Sequence, residues 1–329
     1  MILTRAPYRI PLGGGGTDLP SYYAEHGGFV VSVAIDKYLY VAVNRPAADD
    51  LIRLKYSRYE QVADIEELEH DLVRPALRLL GLTQRVEIAS LADIPAGTGL
   101  GSSGTYVVAL LLALRELQRT RQSTQELAEE ACHIEIHLAG HPSGKQDQYL
   151  AAFGGFSCLD IAPDGGVTVE PLGIDVRTRE RLRRQMLVFY TGMTRSSSTI
   201  LAEQKVDTER RDPVVLASLH RTKLLGLEIR GALEGGDVDG FGELLHEHWM
   251  NKKRRSADIG GGALDHWYDT ARRHGALGGK VMGAGGGGFF AFLCRESNVD
   301  EVREALTTSG LRELTYDFDD TGAKVVANI

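Results

Sequence analysis

The sequence contains no hydrophobic run long enough to span a bilayer: the longest strongly apolar stretch, residues 107–114, falls far short of the roughly 18 residues a membrane helix needs. Cysteine is scarce. Cys132, Cys158 and Cys294 stand far apart with no C-x-x-C spacing, which excludes a disulfide framework and a zinc knuckle and leaves reduced thiols. An apolar leader is missing too, because Met1-Ile2-Leu3-Thr4-Arg5 runs directly toward a glycine-rich segment, so the expected compartment is the cytoplasm. Positive charge is in deficit, with 37 Lys and Arg against 45 Asp and Glu and a net charge of −8. That field repels polyanions and argues against nucleic acid or an anionic membrane as the main partner. A small anionic substrate is compatible, since a pocket of Arg and backbone N–H groups can oppose the global sign. At 43 % hydrophobic and 25 % charged the composition is that of a folded globular protein, and 329 residues correspond to one large domain or two.

What is abundant is glycine, with 38 residues against an average near 7 %. It is concentrated at 13–16, 97–104 and 283–288, with smaller groups at 154–155 and 260–262. The contexts differ, so these are not copies of one repeated unit.

The periodicity predicts strands over 29–43, 52–56 and 85–89. A helix is predicted over 102–117, apolar nearly all round and therefore buried, starting at a glycine-serine loop that leaves its first N–H groups free. A second helix is predicted over 124–138 with Ser123 or Thr124 as N-cap. After a turn at 141–144, residues 155–161 and 167–172 read as a hairpin around Pro163-Asp164-Gly165-Gly166. A strand at 186–190 is followed by helices near 213–234, 238–254 and 263–274. Strands at 289–293, 313–318 and 325–327, with a helix near 299–308, complete the chain. The charged stretch 177–184 separates the halves. The order predicts an α+β protein of two domains, 1–172 with a mixed sheet and helices and 173–329 of α+β type.

Gly99-Leu100-Gly101-Ser102-Ser103-Gly104 spells G-x-G-x-x-G, but the acidic residue a dinucleotide site needs about 20 positions later falls inside a helical pattern, at Gln125-Glu126-Leu127. A phosphate-loop NTPase pattern fails as well, because Thr105-Tyr106 follows Gly104 in place of Lys-Ser/Thr. The physics common to such loops remains: glycines admit close approach, and free N–H groups at a helix start attract phosphate. His133, His137 and His141 repeat at helical spacing around Glu135 without an H-E-x-x-H pattern, and histidines lining a helix explain them without a metal.

The longer phrase Pro95-Ala96-Gly97-Thr98-Gly99-Leu100-Gly101-Ser102-Ser103-Gly104 resembles the nucleotide-binding motif of the GHMP small-molecule kinases (galactokinase, homoserine kinase, mevalonate kinase and phosphomevalonate kinase). Ala6-Pro7-Tyr8-Arg9-Ile10-Pro11-Leu12-Gly13-Gly14-Gly15-Gly16-Thr17-Asp18 resembles that family's N-terminal substrate motif, and 283–288 its C-terminal glycine motif. Ser143-Gly144-Lys145-Gln146-Asp147-Gln148-Tyr149 matches the segment carrying the family's catalytic aspartate. Galactokinases continue the first motif G-E-H-T-D, whereas Gly15 and Gly16 stand here, which argues against galactose. The glycine-only spelling, together with residues 190–196 and Trp249-Met250-Asn251-Lys252-Lys253, resembles the heptose 7-phosphate kinases, and similar spellings recur in L-fucose kinase domains.

The resemblance implies ATP and Mg²⁺ as cofactors, a sugar phosphate as small-molecule substrate, a monomer or homodimer, and phosphorylation of the anomeric hydroxyl. It implies that Asp147 accepts or orients the proton of the attacking hydroxyl and that Arg9 stabilises the developing charge. Pro95, Gly97, Gly99, Leu100, Gly101, Ser102, Ser103 and Gly104 would hold the nucleotide, and Ser103 with Glu135 the metal. Gly15, Gly16, Asp18, Gly285 and Gly286 would shape the sugar side, with Lys145, Arg195 and Lys253 as cations for a substrate phosphate. A silent sugar-and-ATP sensor on the same fold is the alternative from another class; the presence of Arg9, Ser103, Glu135 and Asp147 argues against it.

Overall fold

The computed structural model describes residues 1–193, 197–256 and 259–329. Strand β1 (Ile2–Gly13) leads through helix α1 (Pro20–His26) into β2 (Gly28–Asn44), with which it pairs antiparallel along almost its whole length. The sequence pattern assigns no element to β1, whose Pro7 and Pro11 each remove a ladder donor. The structure tolerates both by placing register shifts at Pro7/Tyr8 and Pro11/Gly13. The other edge of β1 is paired only over Ile2–Arg5. Strands β3 (Ile52–Lys55) and β4 (Tyr59–Val62) and helix α2 (Val73–Leu79) follow, then β5 (Val86–Ala92), parallel to β3.

Helix α3 (Ser102–Leu117) matches its predicted bounds and is buried from Gly104 to Leu111. Its all-round apolarity reflects packing against β1 and β2 on one side and later helices on the other. Helix α4 (Thr124–Cys132) starts in a reciprocal capping box between Ser123 and Glu126, then opens into a π-helical turn at His133–Leu138. Helix α5 (Gln146–Phe153) occupies positions that sequence reasoning left without an element. Strands β6 (Phe156–Ile161) and β7 (Val167–Pro171) form the predicted hairpin and extend the first sheet through the β6 pairing with β2. The charged stretch read as a separator is helix α6 (Val176–Gln185), capped by the Asp175 side chain.

Strand β8 (Met186–Tyr190) begins the second sheet. Helices α7 (Ser197–Glu209), α8 (Pro213–Glu234), α9 (Val238–Lys253) and α10 (Gly262–Arg273) precede β9 (Ala276–Val281) and β10 (Phe289–Cys294). Helix α11 (Val299–Thr308), the short β11 (Arg312–Glu313) and β12 (Lys324–Asn328) complete the order. The strand predicted over 313–318 is therefore shorter than expected: only its start pairs, with β8, and Phe318 forms an isolated bridge to Ile35.

The first sheet runs β12-β1-β2-β5-β3-β4 and the second β11-β8-β10-β9. Sheet membership changes between Pro171 and Met186, and β12 then returns to pair with β1. The main apolar core joins both sheets, with Val30 and Leu159 in one cluster with Val188 and Leu293. A second core centres on Trp249, Tyr268, Phe290 and Phe292, whose rings meet edge-on and stacked.

Helix α9 sits directly on β9. A Cβ added at Gly278 would lie 2.0 Å from the Gly242 carbonyl oxygen and 2.6 Å from the His246 nitrogen. Backbone cannot give way as a side-chain tip can, so Gly278→Ala should cost about 3 kcal/mol. The check is the denaturant midpoint, which an unaffected contact would leave unchanged.

Candidate active site

The phosphate-type loop and the start of α3 form one wall of a cavity of about 820 Å³. Gly99 and Gly101 take φ of +87° and +88°, a left-handed conformation that glycine adopts without a steric cost. A Cβ at Gly99 would also meet the Met282 carbonyl oxygen at 2.8 Å, and one at Gly101 would meet the Asp147 carboxyl carbon at 3.0 Å. Gly101 is the N-cap of α3 and offers no side chain to its N–H groups, so the positive helix end faces the cavity.

Of the residues expected to hold nucleotide, Gly97, Gly99, Gly101, Ser102 and Ser103 line this space. Pro95 lies outside the lining and shapes the turn, its carbonyl accepting from Thr98 Oγ1 at 2.8 Å. Leu100 is fully buried and its carbonyl accepts the Arg9 N–H, tying the loop to β1. Gly104 lets α5 approach α3, where a Cβ would come 2.7 Å from that of Asp147.

Asp147 lies in the first turn of α5. Its Oδ1 accepts from Arg9 Nε at 2.7 Å and lies 2.5 Å from Arg9 Nη2. Arg9 Nη1 donates to the Gly99 carbonyl at 2.8 Å, so one guanidinium holds both the carboxylate and the loop. The Asp147 side chain keeps 18 % exposure on the cavity side and is enclosed elsewhere. Burial pushes its pKa above the usual carboxylate value, with Glu135 and Asp18 adding to the rise and Arg9 opposing it. Removing one partner of such a buried pair leaves an uncompensated charge, a loss of about 3–5 kcal/mol.

Glu135, in the π-helical turn, is 1 % exposed. Its Oε1 accepts from Ser103 Oγ at 2.6 Å and its Oε2 from Gln148 Nε2 at 2.7 Å. The two residues expected at a metal are therefore together at the start of α3. A carboxylate and a hydroxyl next to a phosphate-binding loop fit Mg²⁺, a hard cation that takes few protein ligands and completes its shell with phosphate and water. Of the three histidines near Glu135 in sequence, only His141 faces the cavity. Its Nε2 is 2.8 Å from Asp71 Oδ2 and its Nδ1 3.8 Å from Glu135 Oε1. Glu135, foremost, and Asp71 push its pKa up to about 9, against burial. Among the described residues no group of three or more His, Cys, Asp or Glu side chains is placed to hold a metal ion.

Gly15, Gly16 and Asp18 line the cavity beside Gln146 and Gly144. Asp18 Oδ1 accepts the Gly16 N–H at 2.9 Å and Oδ2 the Gln146 N–H at 3.2 Å. Asp18 thus caps α5 and fixes the helix that carries Asp147, in addition to facing the cavity. Gly285 and Gly286 are buried behind the lining residues Gly283 and Ala284.

Of the cations named for a substrate phosphate, Lys145 and Lys253 do not line the cavity. Lys145 points away from the lining, donating to the Gly165 carbonyl, with Glu129 Oε2 at 3.7 Å. Lys253 pairs with Asp265 at 2.6 Å, and Arg195 lies outside the described residues. Lys252, Arg255, Lys280 and His248 line the cavity instead. Sequence reasoning missed them, although His248, Lys252 and Arg255 recur at helical spacing and Lys280 is a single charge in an otherwise apolar segment. Another part of the cavity is apolar and aromatic, formed by Leu39, Tyr56, Leu72, Leu91 and Tyr106, with His70 stacked on Tyr106 at 5.2 Å between ring centroids.

Comparison with known proteins agrees with this geometry. Residues 65–155 match the family described as GHMP kinases N terminal domain and residues 229–311 that described as GHMP kinases C terminal. The chain is 28 % identical to the D-glycero-alpha-D-manno-heptose 7-phosphate kinase of Campylobacter jejuni, over 98 % of each chain. The L-fucokinase/L-fucose-1-P guanylyltransferase of Bacteroides fragilis is 27 % identical over 92 % of this chain and 36 % of its own length. A crystal structure of a D-glycero-D-manno-heptose 1-phosphate kinase from Bacteroides thetaiotaomicron superposes with a TM-score of 0.81 at 27 % identity, covering all of both chains. The chain belongs to the GHMP kinase family. Within it, the chain is an ATP-dependent small-molecule kinase that transfers phosphate to a hydroxyl.

A carboxylate that accepts a proton works only when ionised. The rate should therefore fall as pH drops through a pKa lying above the ordinary aspartate value of about 3.9. Arg9→Gln removes the charge that opposes this rise, so the acid limb of kcat/KM should move to higher pH as kcat drops. Asp147→Asn should lower kcat roughly 10²- to 10⁴-fold with ATP affinity nearly intact. Steady-state kinetics across pH check both; an unshifted limb in Arg9→Gln would separate Asp147 from that limb.

Proposed function

We propose that this chain is a sugar kinase that uses MgATP to phosphorylate the anomeric C1 hydroxyl of D-glycero-D-manno-heptose 7-phosphate, giving the 1,7-bisphosphate for the synthesis of nucleotide-activated heptose. The observation that carries the reading is the Arg9–Asp147 pair, held between the N-terminus of α3 and the Gly16–Asp18 side of one cavity. It supports the reading because a carboxylate in that position can take a proton from an acceptor hydroxyl held against a phosphoryl donor. The full-length similarity to the Campylobacter heptose kinase supports the choice of sugar. No helix among the described residues is long and apolar enough to cross a membrane, and the proposed compartment is the cytoplasm.

In this reading the C1 oxygen attacks the γ-phosphorus, the bond to the bridging oxygen of ADP breaks, and the hydroxyl proton passes to Asp147. Phosphoryl transfer demands positioning and charge stabilisation more than covalent chemistry. Arg9 offers a cation beside the carboxylate, and the N–H groups at Gly101–Ser103 face the phosphates. Ser103 and Glu135 would hold Mg²⁺, which supplies neutralisation of phosphate charge when bound. The aromatic part of the cavity around Tyr56, His70 and Tyr106 offers flat apolar surface for the base of the nucleotide.

The test is ADP release across heptose 7-phosphate, L-fucose, galactose and homoserine, with the new phosphate located by phosphorus NMR. Preference for the heptose phosphate with an anomeric phosphate signal is the expected result; turnover of L-fucose alone would move the enzyme to the fucose-type branch. Glu135→Gln should raise the Mg²⁺ concentration for half-maximal rate about tenfold. An unchanged Mg²⁺ requirement would remove Glu135 from the metal site.

A further inference from the structure

On one side of the cavity, buried cations stand without a carboxylate partner among the described residues. Arg9 is matched by Asp147. Arg255, Lys280 and Lys252 line the same space at 8 %, 2 % and 7 % exposure. Among the described residues none of them has a carboxylate within ion-pair distance. Lys252 donates to the Gly283 carbonyl at 2.5 Å, and among the described residues Lys280 reaches the Leu12 carbonyl, at 3.5 Å. His248 is 1 % exposed, and neither ring nitrogen has a hydrogen-bond partner among the described residues.

Buried ionised groups without partners are costly and are rarely retained. Here the cost is visible in the groups themselves. Burial, then Arg9 and Arg255, press Lys280 down to about 7. Burial, then the neighbouring cations, hold Lys252 well below its ordinary value. His248 is kept neutral the same way.

The support for Arg255 is a built one. Its Nε donates to Ser218 Oγ at 2.9 Å, and its Nη2 donates to Thr222 Oγ1. Asn251 Nδ2 in turn donates to the Ser218 carbonyl at 2.8 Å and to Thr222 Oγ1 at 3.0 Å. The remaining arm turns to the sugar side, where a Cβ at Gly16 would lie 3.0 Å from Nη1. The guanidinium is thus fixed beside the Gly16–Asp18 turn, while Asp147 stands at the α3 side of the same turn.

We propose that Arg255, Lys280 and His248, with Lys252 beside them, form a receptor for a phosphate group carried by the acceptor itself, and that this receptor selects phosphorylated sugars over free ones. The inference rests on the sugar-phosphate reading above and deepens it. A phosphomonoester dianion supplies countercharge and accepts hydrogen bonds from the remaining guanidinium arm, the ammonium groups and an imidazole N–H. With that phosphate against Arg255, the other end of the sugar lies toward Asp147, so the receptor also orients the attacking hydroxyl.

The experiment measures kcat and KM for heptose 7-phosphate, mannose 6-phosphate and the two sugars without phosphate, in the wild type, Arg255→Gln, Arg255→Lys and Lys280→Gln. The wild type should prefer a phosphorylated sugar to its free counterpart. Arg255→Gln should raise KM for the phosphorylated acceptor roughly 100-fold, with KM for ATP within about twofold and kcat/KM for the free sugar nearly unchanged. Arg255→Lys should recover part of the loss, and Lys280→Gln gives an independent reading if the Arg255 variants fold poorly. Preference for mannose 6-phosphate over the heptose phosphate would end the heptose assignment and leave the receptor standing. Equal losses for phosphorylated and free acceptors in both glutamine variants would overturn the receptor with the kinase intact. A wild type that turns over only free sugars would overturn both.

Discussion

The Arg9–Asp147 ion pair is the contact on which the rest of the site depends. Arg9 comes from β1, Asp147 from α5, and the Gly99 carbonyl that accepts the third arm of the guanidinium belongs to the loop before α3. One side chain therefore sets the relative positions of the proposed acceptor side, the carboxylate proposed to take the proton and the backbone proposed to hold phosphate. At an effective dielectric near 20, opposite charges 4 Å apart attract by about 4 kcal/mol, enough to offset much of the burial that raises the Asp147 pKa. Without Arg9 that burial would favour the protonated acid, which can no longer take a proton.

Close backbone approach is the second constraint. The loop at 97–101 touches the segment at Met282–Gly283, α5 lies against Gly101 and Gly104, and α9 sits on Gly278. Each contact leaves no room for a side chain. Several glycines thus mark where elements from distant parts of the chain converge, Gly99 and Gly101 at the cavity itself and Gly278 beneath α9. Asp18 works in the same direction, because a carboxylate bonded to the Gly16 and Gln146 N–H groups locks the substrate-side turn onto the helix that bears Asp147.

Sequence reasoning reads such a protein unevenly, for physical reasons. Helix α3 and the β6–β7 hairpin are legible because their apolar pattern and turn residues act locally. Ser103 and Glu135, and likewise Arg9 and Asp147, are legible as partners only through motif resemblance, since nothing local relates positions 32 or 138 residues apart. Strand β1 is hidden by Pro7 and Pro11, whose lost donors matter little where one edge is unpaired and the register shifts. Helix α6 is hidden because its many arginines read as a linker, although Leu182 on its inner face is fully buried. The phosphate-receptor cations are the instructive failure. Lys253 and Lys145 look as suitable as Lys252 and Arg255 in a string of letters. Only the packing of α9 on β9 shows that Lys253 turns to Asp265 while Lys252 turns inward.

Net charge and local charge also separate here, and the separation bears on function. A chain at −8 places its surplus carboxylates on the outside, where water screens them within about 10 Å at ordinary salt. Arg255, Lys252 and Lys280 are buried, where screening is weaker, so they dominate what a ligand placed against them experiences. Repulsion among Arg9, Arg255, Lys252 and Lys280 adds to burial in pressing both lysines down, and an anion between them offsets that repulsion and adds attraction. Burial, then Arg9 and Arg255, press Lys280 down to about 7, and an anion beside it favours its protonated form. A fold that keeps such a group buried, with Ser218, Thr222 and Asn251 committed to aiming one member of it, is shaped around a negatively charged ligand.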